Sequence, residues 1–124
     1  MKSITIAALS LLSGVGIGAA TIQGLHAQAK PKAYVITEVE ILDQDAFKEF
    51  LPKVAEATKA AGGQYLARGG KVAAIDGEPP KRLTLQVYDS FEQAAASRTT
   101  PGWVAIKDLQ KKATKTRSFA VEGL

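Results

Sequence analysis

Cysteine is absent from this sequence of 124 residues, and histidine occurs once, at His26. Without cysteine the chain has no disulfide, no thiolate nucleophile and no cysteine-ligated metal. With one histidine, it also lacks the residues for a common zinc site, a histidine-ligated haem in the folded domain or a serine–histidine–aspartate triad. We therefore expect no metal and no cofactor. If the protein is an enzyme that transfers protons, its acid and base groups are carboxylates or phenols.

Charge is missing from Ile4 to Ile22, and this apolar stretch leads to Ala27-Gln28-Ala29, which has the small-residue spacing of a signal peptidase site. The pattern predicts export to the periplasm or secretion, with His26 removed along with the signal. The alternative is an uncleaved anchor in the inner membrane, because residues 4–22 just reach the length of a membrane span. The predicted segments are a signal peptide (1–29), a short polar linker (30–32) and one domain (33–124).

The net charge is +4 and the isoelectric point is near 9.4, so nucleic acid has to be considered as a partner. The basic residues are spread along the chain from Lys30 to Arg117 instead of forming one patch, and export makes this partner less suitable. The densest cluster, between Lys107 and Arg117, falls near the end of a predicted helix, where cations suit the helix dipole. We expect no nucleic-acid partner and a solvated basic surface.

The first strand and helix are predicted from a change in hydrophobic periodicity. Residues Ala33–Ile41 alternate in polarity, which indicates a strand. Asp43 or Asp45 then caps a helix whose apolar residues recur at helical spacing as far as Gly62-Gly63. Because proline lacks an amide donor and collides with the preceding turn, Pro52 predicts a kink or a short turn before the main helix.

Two further strands follow. Gln64–Arg68 predicts a short one, and Gly69-Gly70 allows a bulge or a sharp bend after it. Lys71–Ile75 continues as extended chain into a turn at Asp76-Gly77. The alternation of Arg82–Tyr88 indicates the third main strand.

Helical signals return after the third strand. Ser90 with Gln93 fits a capping box for one helix, and Thr99 or Thr100 caps a second piece that begins with Pro101. The side chains expected to face inward from the two pieces are Phe91, Ala94, Ala95, Trp103, Ile106, Leu109 and Ala113.

With a last strand over Thr116–Glu122, the order is β-α-β-β-α-β, which predicts an α+β ferredoxin-like domain with a four-stranded antiparallel sheet and helices on one face. We expect the helices to cover the apolar side of each strand, including Leu83, Leu85 and Val87 on the third and Phe119 and Val121 on the last. The other side is too apolar to stay open, so the sheet of a second copy should cover it. That side comprises Tyr34, Ile36, Glu38, Glu40, Thr84, Gln86, Tyr88, Ser118 and Glu122.

Several strings in this sequence resemble the bacterial domain-of-unknown-function 1330 family across nearly all of residues 32–124. The resemblance implies a homodimeric α/β barrel in which two sheets close face to face around an interior that holds a small molecule. It implies no established reaction. The strings are Ala33–Ile36, Gly62–Val72, Thr100–Trp103, Ala105–Lys107 and Val121–Gly123.

The sequence departs from the family pattern at the start of the last helix. Many members have Ser-Pro-Glu-Tyr there, whereas this chain has Thr100-Pro101-Gly102-Trp103. The acid is missing and an indole replaces the phenol, so a site that depends on that acid is not expected here. Related barrels include cofactor-independent monooxygenases, isomerases and haem enzymes, but a shared fold is weak evidence for shared chemistry.

Candidate site residues are the groups able to move a proton or hold a ligand. Glu38 and Glu122 are the candidate catalytic bases, with Glu40 as a further one. Arg68 is a candidate anchor for a carboxylate, and the alternative is an ion pair with a glutamate of the sheet. Trp103 either walls a pocket or packs in the core. The ligand-binding candidates are Tyr34, Arg68, Tyr88 and Trp103, and Tyr65 is a further hydrogen-bond donor.

Three functions stay open from the sequence. The first is an exported homodimer that binds a small, partly apolar molecule in the barrel interior. The second is a cofactor-independent enzyme of the monooxygenase or isomerase kind, with Glu38 or Glu122 as the base. The third is a structural or interaction domain without a ligand. The mixed sheet face and the lack of common catalytic residue types favour the first.

Overall fold

The structure, a computed structural model, describes residues 30–124. The signal peptide predicted for residues 1–29, and the alternative anchor at residues 4–22, lie outside the described residues. Within residues 30–124, no helix has both the length and the apolar character needed to cross a membrane.

Residues 30–124 form one four-stranded antiparallel sheet and four helices that lie on one of its faces. The strand order is β2-β3-β1-β4. This confirms the predicted α+β ferredoxin-like fold. The elements are β1 (Ala33–Ile41), α1 (Gln44–Ala60), β2 (Gln64–Arg68), β3 (Arg82–Tyr88), α2 (Phe91–Ala96), α3 (Pro101–Ala105), α4 (Lys107–Ala113) and β4 (Thr114–Glu122), with a 3-10 turn at Ser97–Thr99 between α2 and α3.

Helix α1 starts as predicted but is not interrupted. The Asp43 side chain accepts a hydrogen bond from the Ala46 amide at 3.0 Å and so caps the helix. The short turn expected before the main helix is wrong, because Pro52 lies in the interior of one continuous helix. The missing proline amide leaves only the Lys48 carbonyl without its helical donor. Both residues are exposed, so water can satisfy that carbonyl.

Helix α2 carries half of the predicted capping box. Ser90 Oγ accepts from the Gln93 amide at 3.2 Å, but the Gln93 side chain donates to the Ala61 carbonyl at 3.1 Å instead of to Ser90. Gln93 therefore ties α2 to the end of α1. Of the three residues expected inward from α2, only Ala94 is buried, while Phe91 and Ala95 are exposed.

The last helical stretch is two short helices that meet at Ile106 instead of one. Its inward residues are as predicted, because Trp103, Ile106 and Ala113 are buried and Leu109 packs against their cluster. The sharp bend predicted at Gly69-Gly70 is present, since Gly69 lies in a bend after β2 with a φ of +68°, and a bulge lies earlier, at the register shift between Tyr65 and Ala67.

The two faces of β3 and β4 are the reverse of the prediction. Val35, buried under the helices, lies opposite Gln86 of β3 and Ala120 of β4. Directly opposed residues point to the same face of a sheet. The even-numbered residues of β3 and β4 therefore face the helices. The alternation of polar and apolar residues divides a strand into two faces, but it does not show which face the helices cover. In β3 and β4 the face with the large apolar residues is the one that the helices leave uncovered.

We call the uncovered side the open sheet face. On this face, Ile36 of β1 lies opposite Leu85 of β3 and Phe119 of β4, and Glu38 of β1 lies opposite Arg117 of β4. Thr84, Gln86, Tyr88, Ser118 and Glu122, which were expected on this side, lie on the helix side. The open sheet face consists of Tyr34, Ile36, Glu38, Glu40, Gln64, Ala67, Leu83, Leu85, Val87, Lys115, Arg117, Phe119 and Val121.

Candidate functional site

A pocket lies between the helix side of the sheet and the helices. Phe47, Phe50, Leu51 and Val54 of α1 give it an apolar wall, and polar residues of the strands face them. Its volume is about 50 Å³. That space holds a few waters or one small polar group.

Three arginines line this pocket, and none of the residues that line it is an aspartate or a glutamate. Each guanidinium lies over an aromatic ring. The distance from the guanidinium carbon to the ring centre is 3.7 Å for Arg98 over Trp103, 4.6 Å for Arg68 over Tyr65 and 5.1 Å for Arg82 over Phe47. Stacking on a ring orients a guanidinium without neutralising its charge. The pocket is therefore strongly positive.

Arg98 is the innermost of the three. It belongs to the turn after α2, and its Nη2 donates to Thr37 Oγ1 at 3.3 Å and to Gln86 Oε1 at 3.4 Å. Its Nη1 is buried and has no hydrogen-bond partner within the described part of the chain. The same is true of Nε1 of Trp103, a residue only 3% exposed. Buried donors without partners are rare because each costs about 1–3 kcal/mol.

A buried network holds the acceptors around Arg98 in place, with Gln86 at its centre. Gln86 Nε2 donates to Thr58 Oγ1 at 3.0 Å, and Gln86 Oε1 accepts from the Tyr88 hydroxyl at 3.3 Å. The Thr58 hydroxyl lies 3.3 Å from that of Tyr65. The network thus fixes Gln86 Oε1, one of the two acceptors of Arg98 Nη2.

The charge of Arg98 is not balanced by an acid. Among residues 30–124 no carboxylate forms an ion pair with it. Burial lowers the pKa of the Arg98 guanidinium, while the nearby Tyr88 and Tyr65 act in the opposite direction. An arginine nevertheless stays protonated at neutral pH. The site is thus a buried cation with a free donor, which favours an anion as ligand.

The predicted ligand-binding residues fall in different places. Trp103 lines the pocket and also belongs to the core, so both of its alternatives hold. Arg68 lies at the exposed rim of the pocket, where its Nη2 donates to the Leu51 carbonyl at 3.3 Å instead of pairing with a sheet glutamate. Tyr88 is buried behind Gln86. Tyr34 lies on the open sheet face, away from these residues.

The glutamates proposed as bases do not line this pocket. Glu38 lies on the open sheet face and its carboxylate is 3.1 Å from Arg117 Nε. Glu40 lies on the same face, 3.5 Å from Lys81 Nζ. Glu122 is exposed at the end of β4. The structure therefore does not bring a candidate base together with Arg68.

Arg98, Gln86 and Thr58 were missed by the sequence reasoning. A signal for Arg98 was available, since it follows the inward-facing Ala94 by four residues and such a pair shares one face of a helix. For Gln86 and Thr58 no comparable signal exists. The sequence does not show which distant residues will form hydrogen bonds with a single polar side chain.

Comparison with known proteins identifies the family. None of the curated proteins matches the chain with significance. One similar solved structure is RPA0582, a protein of unknown function from Rhodopseudomonas palustris, with 12% identity, coverage of 85% of this chain and 92% of that one, and a TM-score of 0.59. Another is SnoaB, a cofactor-independent oxygenase from Streptomyces nogalater, with 7% identity, coverage of 76% and 94%, and a TM-score of 0.55.

The Arabidopsis thaliana protein At3g17210 is also similar, with 12% identity, coverage of 77% of this chain and 89% of that one, and a TM-score of 0.51. At such identities the likeness shows a common fold and nothing about chemistry. The family profile described as Domain of unknown function (DUF1330) matches residues 32–124. The chain therefore belongs to the DUF1330 family.

Proposed function

We propose that this protein binds a small organic acid in the pocket between the sheet and the helices, with Arg98 and Trp103 holding the acid group. One observation supports this above the others. Two buried donors, Arg98 Nη1 and Trp103 Nε1, have no hydrogen-bond partner within residues 30–124. Both residues line the same pocket, and no aspartate or glutamate lines it. A ligand oxygen would satisfy both donors and balance the charge.

A carboxylate suits this arrangement. It is planar, it presents two acceptor oxygens, and it forms strong charge-assisted hydrogen bonds with a guanidinium. The apolar wall from Phe47, Phe50 and Val54 suits a partly apolar body. The proposed site therefore lies under the helices of one chain, whereas the family resemblance implied a site between two sheets.

Binding fits the site better than the enzymatic alternative does. A monooxygenase or isomerase that relies on Glu38 or Glu122 needs the base beside the ligand. Neither residue lines the pocket, and Glu38 is already paired with Arg117. A purely structural domain has no use for a buried, unpaired cation, which lowers stability.

We also propose that the protein is exported and that two copies pair through the open sheet face. Pairing is supported by the exposed apolar side chains of that face, since Phe119 is 44% and Val121 is 46% exposed, and such surfaces are usually covered by a partner. The support for export is the signal pattern in residues 1–29. The intact mass of protein from the cell envelope tests export. A chain that begins at Lys30 agrees with it, and one that begins at Met1 with no envelope enrichment contradicts it.

Fluorescence offers a direct test of binding, because Trp103 is the only tryptophan in the chain and lies in the site. The purified protein is titrated with acetate and propionate at constant ionic strength, with chloride as the reference anion. We expect a saturable change in emission, and heat release by calorimetry with the same midpoint. Arg98→Gln should weaken binding by about tenfold or more, because charged hydrogen bonds are lost.

Arg117→Gln is the matched control, since it removes a guanidinium from the open sheet face and should leave acid binding unchanged. Two results would contradict the proposal. One is a response to the acids no different from that to chloride, and the other is equal affinity in wild type and Arg98→Gln.

A further inference from the structure

We infer that the ligand carries a second acid group, bound at the rim of the pocket by Arg68 and Arg82, so that the natural ligand is a dicarboxylic acid with a short apolar spacer. This rests on the proposed function, because the first acid group is the one held by Arg98 and Trp103. It assigns a role to two arginines that the inner site does not use.

Arg68 and Arg82 are placed together by strand register. Arg68 lies opposite Thr84 in the β2–β3 ladder, and Arg82 lies two residues from Thr84 on the same side of β3. Residues in this diagonal relation are within reach of each other when their side chains are long. The Arg82 guanidinium also lies directly against Gly69, the residue after Arg68, where any side chain would collide with it. One end of the pocket thus holds two guanidinium groups.

Neither rim arginine has an acidic partner in the described part of the chain. Ion pairs in the described part of the chain include those of Lys81 with Glu40, Arg117 with Glu38, Lys53 with Glu49 and Lys32 with Asp89. Glu38 and Glu40 of the sheet are therefore paired, with Arg117 and Lys81, away from the pocket. Arg68 and Arg82 are held instead over Tyr65 and Phe47, and both line the pocket. A pair of oriented, unneutralised guanidinium groups is a binding site for a planar anion.

The spacing between the two ends sets the size of the ligand. Arg98 lies beside Gln86, whereas Arg68 lies opposite Thr84, and two residues along a strand span roughly 7 Å. Arg98 Nη1 is buried, whereas Arg68 is exposed at the rim, so a ligand held by Arg98 extends outward toward the rim. The wall along that path is Leu51, Phe47 and Val54. A few methylene groups match such a wall.

Matched acids test this inference. The purified protein is titrated with succinate, glutarate and adipate, and with butyrate, valerate and hexanoate, which have the same numbers of carbons and one acid group. We expect at least one diacid to bind about tenfold or more tightly than its monoacid, as a further charged contact should provide. The double variant Arg68→Gln/Arg82→Gln should abolish the preference for the diacid, because it lowers the affinity for the diacid more than the affinity for the monoacid.

Arg82→Lys keeps the charge and a long side chain, so it covers the case in which the double variant folds poorly. It should retain part of the preference for the diacid, since lysine lacks the two-pronged geometry. Arg117→Gln is the control for general loss of positive charge and should keep the full preference.

The inference is overturned if diacids and monoacids bind equally tightly to the wild type, or if the preference survives in Arg68→Gln/Arg82→Gln. These results leave the proposed function standing, because the monoacid still binds through Arg98. If neither kind of acid binds, the proposed function fails, and this inference fails with it.

Discussion

Arg98 holds a positive charge under the helices with no acid paired to it in the described part of the chain. Both acceptors of its Nη2 have other partners, because Thr37 Oγ1 lies 3.0 Å from Ser118 Oγ and Gln86 Oε1 accepts from Tyr88. We predict that Arg98→Met, which keeps an unbranched side chain over Trp103, raises the free energy of unfolding by about 1 kcal/mol, because replacing a buried charge by an apolar group is often stabilising. Urea unfolding measures this, with Arg117→Met as the control. A loss of stability larger than that of the control contradicts it.

The pH dependence of this effect follows from the direction of the pKa shift. Desolvation lowers the pKa of Arg98 in the folded protein. At any pH where Arg98 is charged in both the folded and the unfolded state, the burial of this charge therefore lowers the free energy of unfolding. Stability would rise only above the folded pKa, where the native state loses its proton first. We therefore predict that the difference in unfolding free energy between Arg98→Met and wild type stays constant between about pH 6 and pH 9.

Single residues were the hardest part of the site to predict. Trp103 was found because it lies on a helical apolar stripe, and Arg68 because an arginine on a strand suits a carboxylate. Arg98 was missed although its spacing of four residues from Ala94 was a signal for the inward face. Gln86 was assigned to the wrong side because burial of a polar residue depends on partners, such as Thr58, that are distant in sequence.

Among the elements, the join between α1 and β2 controls the network under the helices. A side-chain carbon on Gly63 would lie 2.6 Å from Cζ of Tyr88, a residue 1% exposed whose hydroxyl donates to Gln86. We predict that Gly63→Ala lowers the unfolding free energy by about 1–3 kcal/mol, because a packed ring has to move. It should also weaken acid binding, since Gln86 positions Arg98.

Gly102→Ala is the matched control, because its added carbon lies 3.7 Å from Ala57, an ordinary contact, and the residue is within helix α3. Alanine there should raise stability by about 0.5–1 kcal/mol. Thermal unfolding of the two variants decides between the expectations. Equal effects of the two substitutions would show that Gly63 has no special role.

The elements themselves were largely predictable from the sequence. Strand alternation in Ala33–Ile41 and Arg82–Tyr88 and the cap at Asp43 gave the order and most of the bounds. The side of the sheet that the helices cover was not predictable, since both sides of β3 carry residues that suit burial. The register that places Gln86 beside Val35 involves residues far apart in the chain, and local patterns do not contain it.

At the scale of the whole molecule, the open sheet face predicts pairing of two copies. We expect the protein to sediment at twice the mass of one chain, and Phe119→Asp to give a folded monomer, because it places a charge in the apolar part of that face. Val104→Asp is the control, since Val104 is 54% exposed but lies on helix α3. A wild-type protein that remains a monomer at high concentration contradicts the pairing.

The pocket under the helices should bind an anion. Crystals of the protein soaked in sodium bromide can show this, because bromide scatters anomalously and is small enough for the pocket. We expect an anomalous peak within hydrogen-bonding distance of both Arg98 Nη1 and Trp103 Nε1. Bromide bound only at surface lysines, with water alone between those two donors, would contradict it.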